Sequence, residues 1–461
     1  MIRRPDFRRS APCGRDLAIE VAYRCDQDGM FAHAAWSLSL CGKVMDPRER
    51  RLGMEIAFGA IRRRVTLDWC IESSAARLVS QIDPLALAIL RTGAYQIMFM
   101  SRIPKHSAVS EAVESARRLT HSGIASFANA VLRRIASPSF EPGFPDPACG
   151  QARAMAVRLS YPEWLVRLWI ENYGPENAEE MLRAGNDAPS VVLRANTARG
   201  TVDAVSDSLK KAGVSATPGQ LVPEALRVEG PIDSVESLPG FDQGQFSVQD
   251  ESSMLVAHVL AAKPGDFVID ACAAPGGKAT HIAELARDSG RVLAADVAPD
   301  RVEMIRQSSE RLGLSSVEPI CCDARVLAES YSGQADAVLV DAPCSGLGVL
   351  ARRPDARFRK SPEEIAVLAD LQAQILSSAA ACVKSGGTLV YSTCTLTRAE
   401  NQEQVAAFLA SHRDFARSAI APHMPSEAAC GLCRSESSDM FELLPSKSGA
   451  DGFFISRMKR A

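Results

Sequence analysis

No apolar run in this chain approaches the length a bilayer requires; the longest, such as Leu85 to Leu90, fall far short of about 20 residues. The Arg-rich N-terminus has no apolar h-region after it, so no secretory leader is expected, and the chain reads as cytoplasmic with no membrane partner. A disulfide framework is missing too. The 13 cysteines are scattered through 461 residues without regular spacing, which fits reduced thiols in a chain this large. Metal-ligand spacing is equally scarce. The 7 histidines show none, and Cys430-Gly431-Leu432-Cys433 is half of a zinc site with no second pair near it, so no metal is expected.

What is present is ordinary globular material, 46% hydrophobic and 23% charged, in a length that calls for two or three domains. The net charge of −3 hides a split. Residues 1 to 150 hold 21 Lys+Arg against 15 Asp+Glu, an excess of +6, which leaves −9 on the remainder. A basic N-terminal third on an acidic body suggests that a polyanion is gripped from that end, although solvated helix faces explain much of such asymmetry.

From Asp16 to about Ile135 apolar residues recur at three and four, in the segments Leu17 to Tyr23, Leu52 to Ile61, Leu67 to Val79, Pro84 to Phe99, Ala108 to Leu119 and Ser126 to Ile135. An all-α bundle is predicted. Arg62-Arg63-Arg64 and Arg133-Arg134 lie on or beside helices, where they could contact phosphates or simply form a solvated face. The segments Leu90 to Gln96, Ile103 to Val113 and Phe127 to Arg134 together resemble the NusB-type RNA-binding helical domain, a resemblance that implies RNA binding for residues 1–140.

Residues 138 to 150 hold four prolines and two glycines and cannot continue a helix, so a linker is placed at 141–150. Beyond it, helices at Pro162 to Tyr173, Ala178 to Ala184 and Val202 to Ala212 alternate with strands at Ser190 to Asn196 and Leu226 to Val228. These make a small α+β unit over 151–240. From 241 to 461 the pattern is that of βαβ units, with strands at Phe267 to Asp270, Arg291 to Asp296, Val317 to Cys321, Ala337 to Asp341 and Thr388 to Ser392. A Rossmann-like parallel sheet is predicted, with ligands at the carboxyl ends of its strands.

The chemistry-bearing residues stand at those ends. The first strand runs into Asp270-Ala271-Cys272-Ala273-Ala274-Pro275-Gly276-Gly277-Lys278 and then a helix, a turn that lets a ligand lie against bare backbone and helix N–H groups. A tight βα turn needs the same glycines. Asp296 ends the second strand, where an acid can take ribose hydroxyls, although it could equally cap the helix near Pro299. Asp323 follows the third, placed for a donor such as an adenine amino group. The loop lacks the full dinucleotide fingerprint and any triphosphate-binding lysine arrangement, so S-adenosylmethionine fits better than NAD. The fourth and fifth strands end in Asp341-Ala342-Pro343-Cys344-Ser345-Gly346 and Ser392-Thr393-Cys394-Thr395, each with a cysteine beside the cofactor loop. One such cysteine is usually a small buried hydrophobe; two with these acids suggest a nucleophile.

This combination closely resembles the RNA cytosine-5 methyltransferases of the small-subunit ribosomal RNA methyltransferase B type. The resemblance covers nearly the whole chain and includes Val248-Gln249-Asp250, Arg352-Arg353-Pro354-Asp355 and Asp451-Gly452-Phe453-Phe454. It implies an S-adenosylmethionine-dependent methyltransferase domain preceded by a NusB-like domain and a small RNA-binding α+β unit, acting as a monomer on 16S ribosomal RNA. It also implies site roles. Cys272, Ala273, Ala274, Pro275, Gly276, Gly277 and Lys278 with Asp296, Asp323 and Asp341 would hold the donor, and Asp341 would contact the target base. Cys394 would be the nucleophile, and Cys344 would assist product release. Ala279, Glu251, Met254 and Arg353 depart from the family pattern, but none removes a group with a bond-making role. The alternatives are a transfer-RNA cytosine-5 methyltransferase, a DNA-type enzyme with the two cysteines exchanged, and a non-catalytic RNA-binding assembly factor. An amino-group methyltransferase is disfavoured because Asp341-Ala342-Pro343-Cys344 replaces its Asn/Asp-Pro-Pro-aromatic motif.

Overall fold

Aspartate followed by proline starts two of the helices that organise the first 187 residues. In the computed structural model, which describes residues 13 to 425 apart from 231 and 233, residues 433 to 461, and residues 7 and 431, the chain forms two compact units. One is Met1–Asp187 with Arg352–Arg359, the other Ala188–Ala351 with Lys360–Ala461. The Arg-rich start of the chain and Cys430 lie outside the described residues.

The first unit is helical: α1 (Gly14–Gln27), α2 (Ala32–Leu40), α3 (Pro47–Arg62), α4 (Arg64–Ala75), α5 (Pro84–Phe99), α6 (Lys105–Leu119), α7 (Ser122–Ala136), α8 (Gln151–Leu159), α9 (Glu163–Tyr173) and α10 (Pro175–Ala184). Asp46 and Asp83 cap α3 and α5, each ahead of a proline whose missing N–H costs nothing at that position. Helix α5 is the hub. Its Leu85, Ile89, Leu90 and Ala94 are buried against α1, α4, α6 and α7, and Gly93 has no room for a Cβ, which would lie 2.8 Å from the Leu132 side chain. Arg91 is buried and ion-paired with Asp68 and Asp26, so this part of the NusB-like motif is structural. Helix α2 went unpredicted because Ala32 to Leu40 alternates small and polar residues without an apolar stripe.

The second unit opens with a small antiparallel sheet: β1 (Val191–Ala195), α11 (Val202–Lys211), β2 (Ala216–Pro218), β3 (Ala225–Val228) and β4 (Phe246–Val248), in the order β2-β3-β1-β4. Strand β4 carries the start of the Val248-Gln249-Asp250 motif, which therefore closes this sheet and does not begin the parallel one. There follow α12 (Glu251–Leu260), β5 (Phe267–Asp270), α13 (Gly277–Leu285), β6 (Arg291–Asp296), α14 (Pro299–Leu312), β7 (Val317–Cys321), α15 (Ala328–Tyr331), β8 (Ala335–Asp341), α16 (Pro362–Cys382), β9 (Val383–Thr393), α17 (Gln402–Ser411), β10 (Phe415–Arg417), β11 (Cys433–Ser437), β12 (Met440–Leu443), α18 (Pro445–Ser448) and β13 (Phe453–Arg460).

Strands β7-β6-β5-β8-β9 are parallel, as the βαβ pattern predicts. Strand β13 then pairs antiparallel with β9 and carries β12, β11 and β10. The chain winds outward from β5 in one direction and then in the other, so β5 is the topological switch point, where a crevice opens at the strand ends. Helix α16 has the length and composition of a membrane span, but its Ile365, Ile375, Leu376 and Ala379 are buried, the latter three in a core with β8 and β9 residues. A search for unbroken apolar runs does not flag it.

Candidate active site

The loop from β5 to α13 turns on Gly276, whose φ of +104° is unfavourable for any side chain and whose missing Cβ would sit 3.2 Å from the Cα of Ile305. Asp270 stands at the end of β5 with 0% exposure, and neither carboxylate oxygen has a hydrogen-bond partner among the described residues. Burial, followed by the charge of Asp341, pushes its pKa up to about 7. Lys278 donates to the Oδ2 of Asp341 at 2.7 Å, while Ser392 donates to the Oδ1 at 2.9 Å. Burial opposes the charge on Lys278, but Asp341 outweighs it, and the ammonium pKa is raised. Asp296 is buried at the end of β6 and accepts from the Ala298 N–H at 3.2 Å. Asp323 is more open and forms an ion pair with its near neighbour Arg325 at 2.6 Å. Cys272 is largely buried, and desolvation raises its pKa, so its thiol stays protonated.

One residue outside the predicted site holds this loop in place. Arg194, on β1, is fully buried and donates to the Gly277 carbonyl at 2.6 Å, the Thr280 hydroxyl at 3.0 Å, both oxygens of Glu284 at 2.7 and 3.0 Å, and the Gln249 side chain. All five guanidinium N–H groups are thus engaged. A lysine would keep the charge and lose the fork. Arg194→Lys is therefore expected to weaken methyl-donor binding roughly tenfold, equivalent to about 1.4 kcal/mol, with a much smaller change in kcat. Titration with labelled donor checks this, and a variant that loses thermal stability while keeping wild-type donor affinity would show a role in packing alone.

The two cysteines meet across β8 and β9. In-register pairing of Asp341 with Ser392 brings the following residues together, and the Sγ atoms of Cys344 and Cys394 lie 3.3 Å apart. The hydrogen bond with Cys394, reinforced by burial, raises the Cys344 pKa well above the ordinary thiol range. Their loops are tied by Glu400, which is completely buried. Its carboxylate accepts from the Ser345 N–H (2.8 Å) and hydroxyl (2.6 Å), the Thr397 hydroxyl (2.7 Å) and the Gln372 amide (3.1 Å), and its carbonyl accepts from the Tyr391 hydroxyl (2.7 Å). Asn401 accepts from the Thr393 hydroxyl at 2.6 Å and donates to the Thr395 carbonyl at 3.0 Å. A third segment closes the arrangement. The Gly348 N–H donates to the Cys394 carbonyl and the Gly452 N–H to the Gly348 carbonyl, both at 2.9 Å, so tightly that a Cβ on Gly348 would overlap the Gly452 oxygen. Asp250 links in too, accepting from the Asp451 N–H at 3.1 Å and the Ser252 N–H at 3.0 Å.

The structure thus gathers Lys278, Asp341, Cys344 and Cys394 with Asp270, places Asp296 along the same strand ends, and leaves Asp323 paired to Arg325. Sequence reading took Asp270 only as the start of the donor loop and assigned no role to Arg194 or Glu400; Arg194 offers the local signal of a charge inside the apolar run of β1, whereas Glu400, between Arg398 and Asn401, offers none. It also placed Cys321 and Cys322 in the strand core. Cys322 packs there, but Cys321 is exposed, because β7 is the last strand on its side of the parallel sheet. The histidines, unpatterned in sequence, partly converge in space. Nε2 of His258 and of His281 lie 2.7 and 2.8 Å from the same Glu224 oxygen, the separation of a hydrogen-bonded carboxylate–imidazole cluster. Burial, with the nearby Arg194 charge, pushes His281 down to about 3.

The fit to a methyl donor is good. An unpartnered buried carboxylate, a glycine turn that admits close approach, helix N–H groups and a second buried acid at the next strand end suit a ligand carrying an ammonium, a sulfonium and a ribose diol.

Comparison with known proteins extends this geometry. The model of the 16S rRNA methyltransferase RsmB/F family matches residues 257–459, the NusB family model residues 14–137, and the RsmF/B-like ferredoxin-like domain model residues 161–235. A protein of Bacillus subtilis named probable ribosomal RNA small subunit methyltransferase B is 36% identical over 97% of this chain and 98% of its own. The ribosomal RNA small subunit methyltransferase B of Vibrio cholerae is 34% identical over 90% of both. Among solved structures, that of a protein named PH0851 is 25% identical, with a TM-score of 0.81 over 98% of this chain and 99% of its own.

Proposed function

The chain belongs to the 16S rRNA methyltransferase RsmB/F family of S-adenosylmethionine-dependent enzymes, and from that premise we propose that it makes 5-methylcytosine in 16S ribosomal RNA, in the cytoplasm, through a covalent cysteine adduct. The observation that carries this reading is the pair of thiols 3.3 Å apart at the ends of adjacent strands, beside the Lys278–Asp341 pair.

C5 of cytosine is too weak a nucleophile to take a methyl group unaided. Cys394, as thiolate, adds through sulfur to C6, and the electron pair moves so that C5 becomes enamine-like. Cys272 to Lys278, with Asp270 and Asp296, would hold the donor, which would supply a sulfonium methyl to that carbon and leave as the neutral thioether. Loss of the C5 proton to water then lets the electron pair of that C–H bond re-form the C5–C6 double bond as the C6–S bond breaks, which returns Cys394 as thiolate and restores the aromatic ring. Cys344 suits the later step: its Sγ lies 3.3 Å from the sulfur that departs, and its burial favours the neutral thiol. Asp341, whose two oxygens accept from Lys278 and Ser392, would hold the exocyclic amino edge of the base. A base reached this way must leave its stack, so the target is a loop or a flipped nucleotide. Methylation assays on 16S and transfer-RNA transcripts, with the product nucleoside analysed, test the reading; transfer to tRNA alone would replace the substrate, and product other than 5-methylcytosine would replace the chemistry.

Asp270 gives the donor site a pH signature. Its pKa of about 7 in the folded chain exceeds the ordinary 3.8, so between those values the folded state holds more protons than the unfolded state, and stability falls as pH rises through the window. Asp270→Asn removes this penalty. The donor-free variant should melt at the wild-type temperature near pH 4 and a few degrees above it at pH 8, while binding the cationic donor more weakly. Equal melting temperatures at both pH values would show that Asp270 is already ionised in the folded state.

A further inference from the structure

We propose that the groove between α6 and α7 of the first unit seats the phosphodiester backbone of the RNA substrate, an inference that rests on the reading of the chain as an rRNA methyltransferase. The groove has a volume of about 830 Å³. Val109 and Val113 form an apolar floor, while hydroxyl and amide groups, among them Ser126 and Asn129, line its sides. Its cations are Lys105, Arg117 and Arg133; Arg117 is ion-paired with Glu114, the one acid among the lining residues, and both of these side chains are exposed.

The pairing of the unit's arginines narrows the choice of surface, and the groove is where unpaired cations line a cavity. The cations that sequence reading marked as phosphate contacts are mostly engaged elsewhere. Arg62 is largely buried, and desolvation lowers its pKa; Arg63 lies over the Phe99 ring; Arg64 pairs with Asp26. Arg15, Arg24, Arg91 and Arg118 are likewise tied to acids. In Arg133-Arg134 the second residue turns to the Ser74 carbonyl, whereas Arg133 is exposed in the groove. Neither Arg133 nor Lys105 makes an ion pair or a side-chain hydrogen bond among the described residues. Lys105 and Arg133 are thus cations of this basic end that stand unpaired in the groove, while Arg3, Arg4, Arg8 and Arg9, which also contribute to its +6 excess, lie outside the described residues.

The placement suits a strand. Helices α6 and α7 are joined by only Thr120 and His121 and pack together, so they run antiparallel. Lys105 and Arg133 therefore meet at one end of the groove, and Arg117 stands 12 residues further along α6, roughly 18 Å away. A span of that length covers several consecutive phosphates of one RNA strand. Cations over an apolar floor, with hydroxyls between them, match phosphates along a backbone and the ribose faces beneath. No Phe, Tyr or Trp lines the groove and His106 is its single ring, so the contact is made mainly to the backbone and not to a series of bases.

The test uses the full chain and a 16S rRNA transcript, with affinity measured between 50 and 200 mM salt and methyl transfer measured in parallel. Lys105→Ala/Arg133→Ala removes two exposed cations and should leave the melting temperature unchanged. It should weaken binding at low salt and flatten the slope of log affinity against log salt by about 1.4 to 1.8. Ser126→Glu should weaken binding further. Arg167→Ala, which removes an exposed cation outside the groove, should leave the slope intact. A double variant with wild-type affinity and slope, on an RNA that the wild type methylates, overturns the groove and leaves the functional reading standing. A flattened slope on RNA that the wild type binds and never methylates keeps the groove and sinks the functional reading. A wild type that binds no RNA overturns both.

Discussion

Replacing Cys394 with alanine is expected to abolish methyl transfer to RNA, lowering kcat by roughly 10⁴-fold or more, the scale of losing a nucleophile that acts within a cooperating unit. Donor binding should survive. Cys394 follows β9, whereas the donor loop follows β5 and is held by Arg194 and Lys278, neither of which depends on that sulfur for its position. The variant should therefore bind donor normally and bind RNA normally, yet turn over neither. A rate near the wild-type value would remove Cys394 from the chemistry. If Cys344→Ala were then inactive, the nucleophile would be the cysteine after Pro343, as in the DNA-type alternative.

Cys344→Ala should have the opposite phenotype, with attack intact and release impaired. With donor and RNA present, a protein–RNA adduct should accumulate that survives denaturation and runs as a shifted band, while steady-state turnover falls by roughly 10²-fold or more, the lower end of what a positioned acid–base group contributes. The basis is the 3.3 Å contact and the raised Cys344 pKa, which together place a protonated group against the sulfur that must leave. Adding Cys394→Ala to the same chain must eliminate the adduct. Normal turnover with no trapped species in Cys344→Ala would limit this residue to packing.

The parts of the molecule that could be read from its residues are those whose chemistry is local. Strand ends at Asp270, Asp296 and Asp341 are legible because β-branched runs stop at an acid, and the glycine loop because its backbone demands are written in residue type. The helical unit is legible wherever an apolar stripe recurs, and α2 is lost where that stripe gives way to alanine and serine. Long-range pairing is not legible. Nothing around Phe246 says that β4 closes a sheet with β1, and nothing around Phe453 says that β13 runs against β9. The same limit hides the supports of the site. Arg194 lies more than 80 residues from the loop it holds, and Glu400 reaches back 55 residues to Ser345. Even the arginine triplet misleads, since a charged run in sequence does not show which members are already engaged by acids, rings or burial.

The membership of Arg352–Arg359 has a practical consequence for taking the molecule apart. This stretch lies in the chain between β8 and α16, yet it counts with the helical unit, where Arg357 is fully buried and donates to the Ser160 and Gly185 carbonyls and the Asn186 side chain, and Asp355 accepts from the Ala32 N–H. The polypeptide therefore passes from one unit to the other three times, and no single cleavage point yields two whole pieces. A catalytic fragment expressed from residue 188 onward would carry a buried arginine and a buried aspartate with no surroundings to satisfy them, and a helical fragment ending at 187 would lack a piece of its own interior. Loss of activity in the catalytic fragment, or of RNA binding in the helical one, would then report a broken fold as readily as a missing RNA contact. Point substitutions in the α6–α7 groove separate those two causes where deletion cannot.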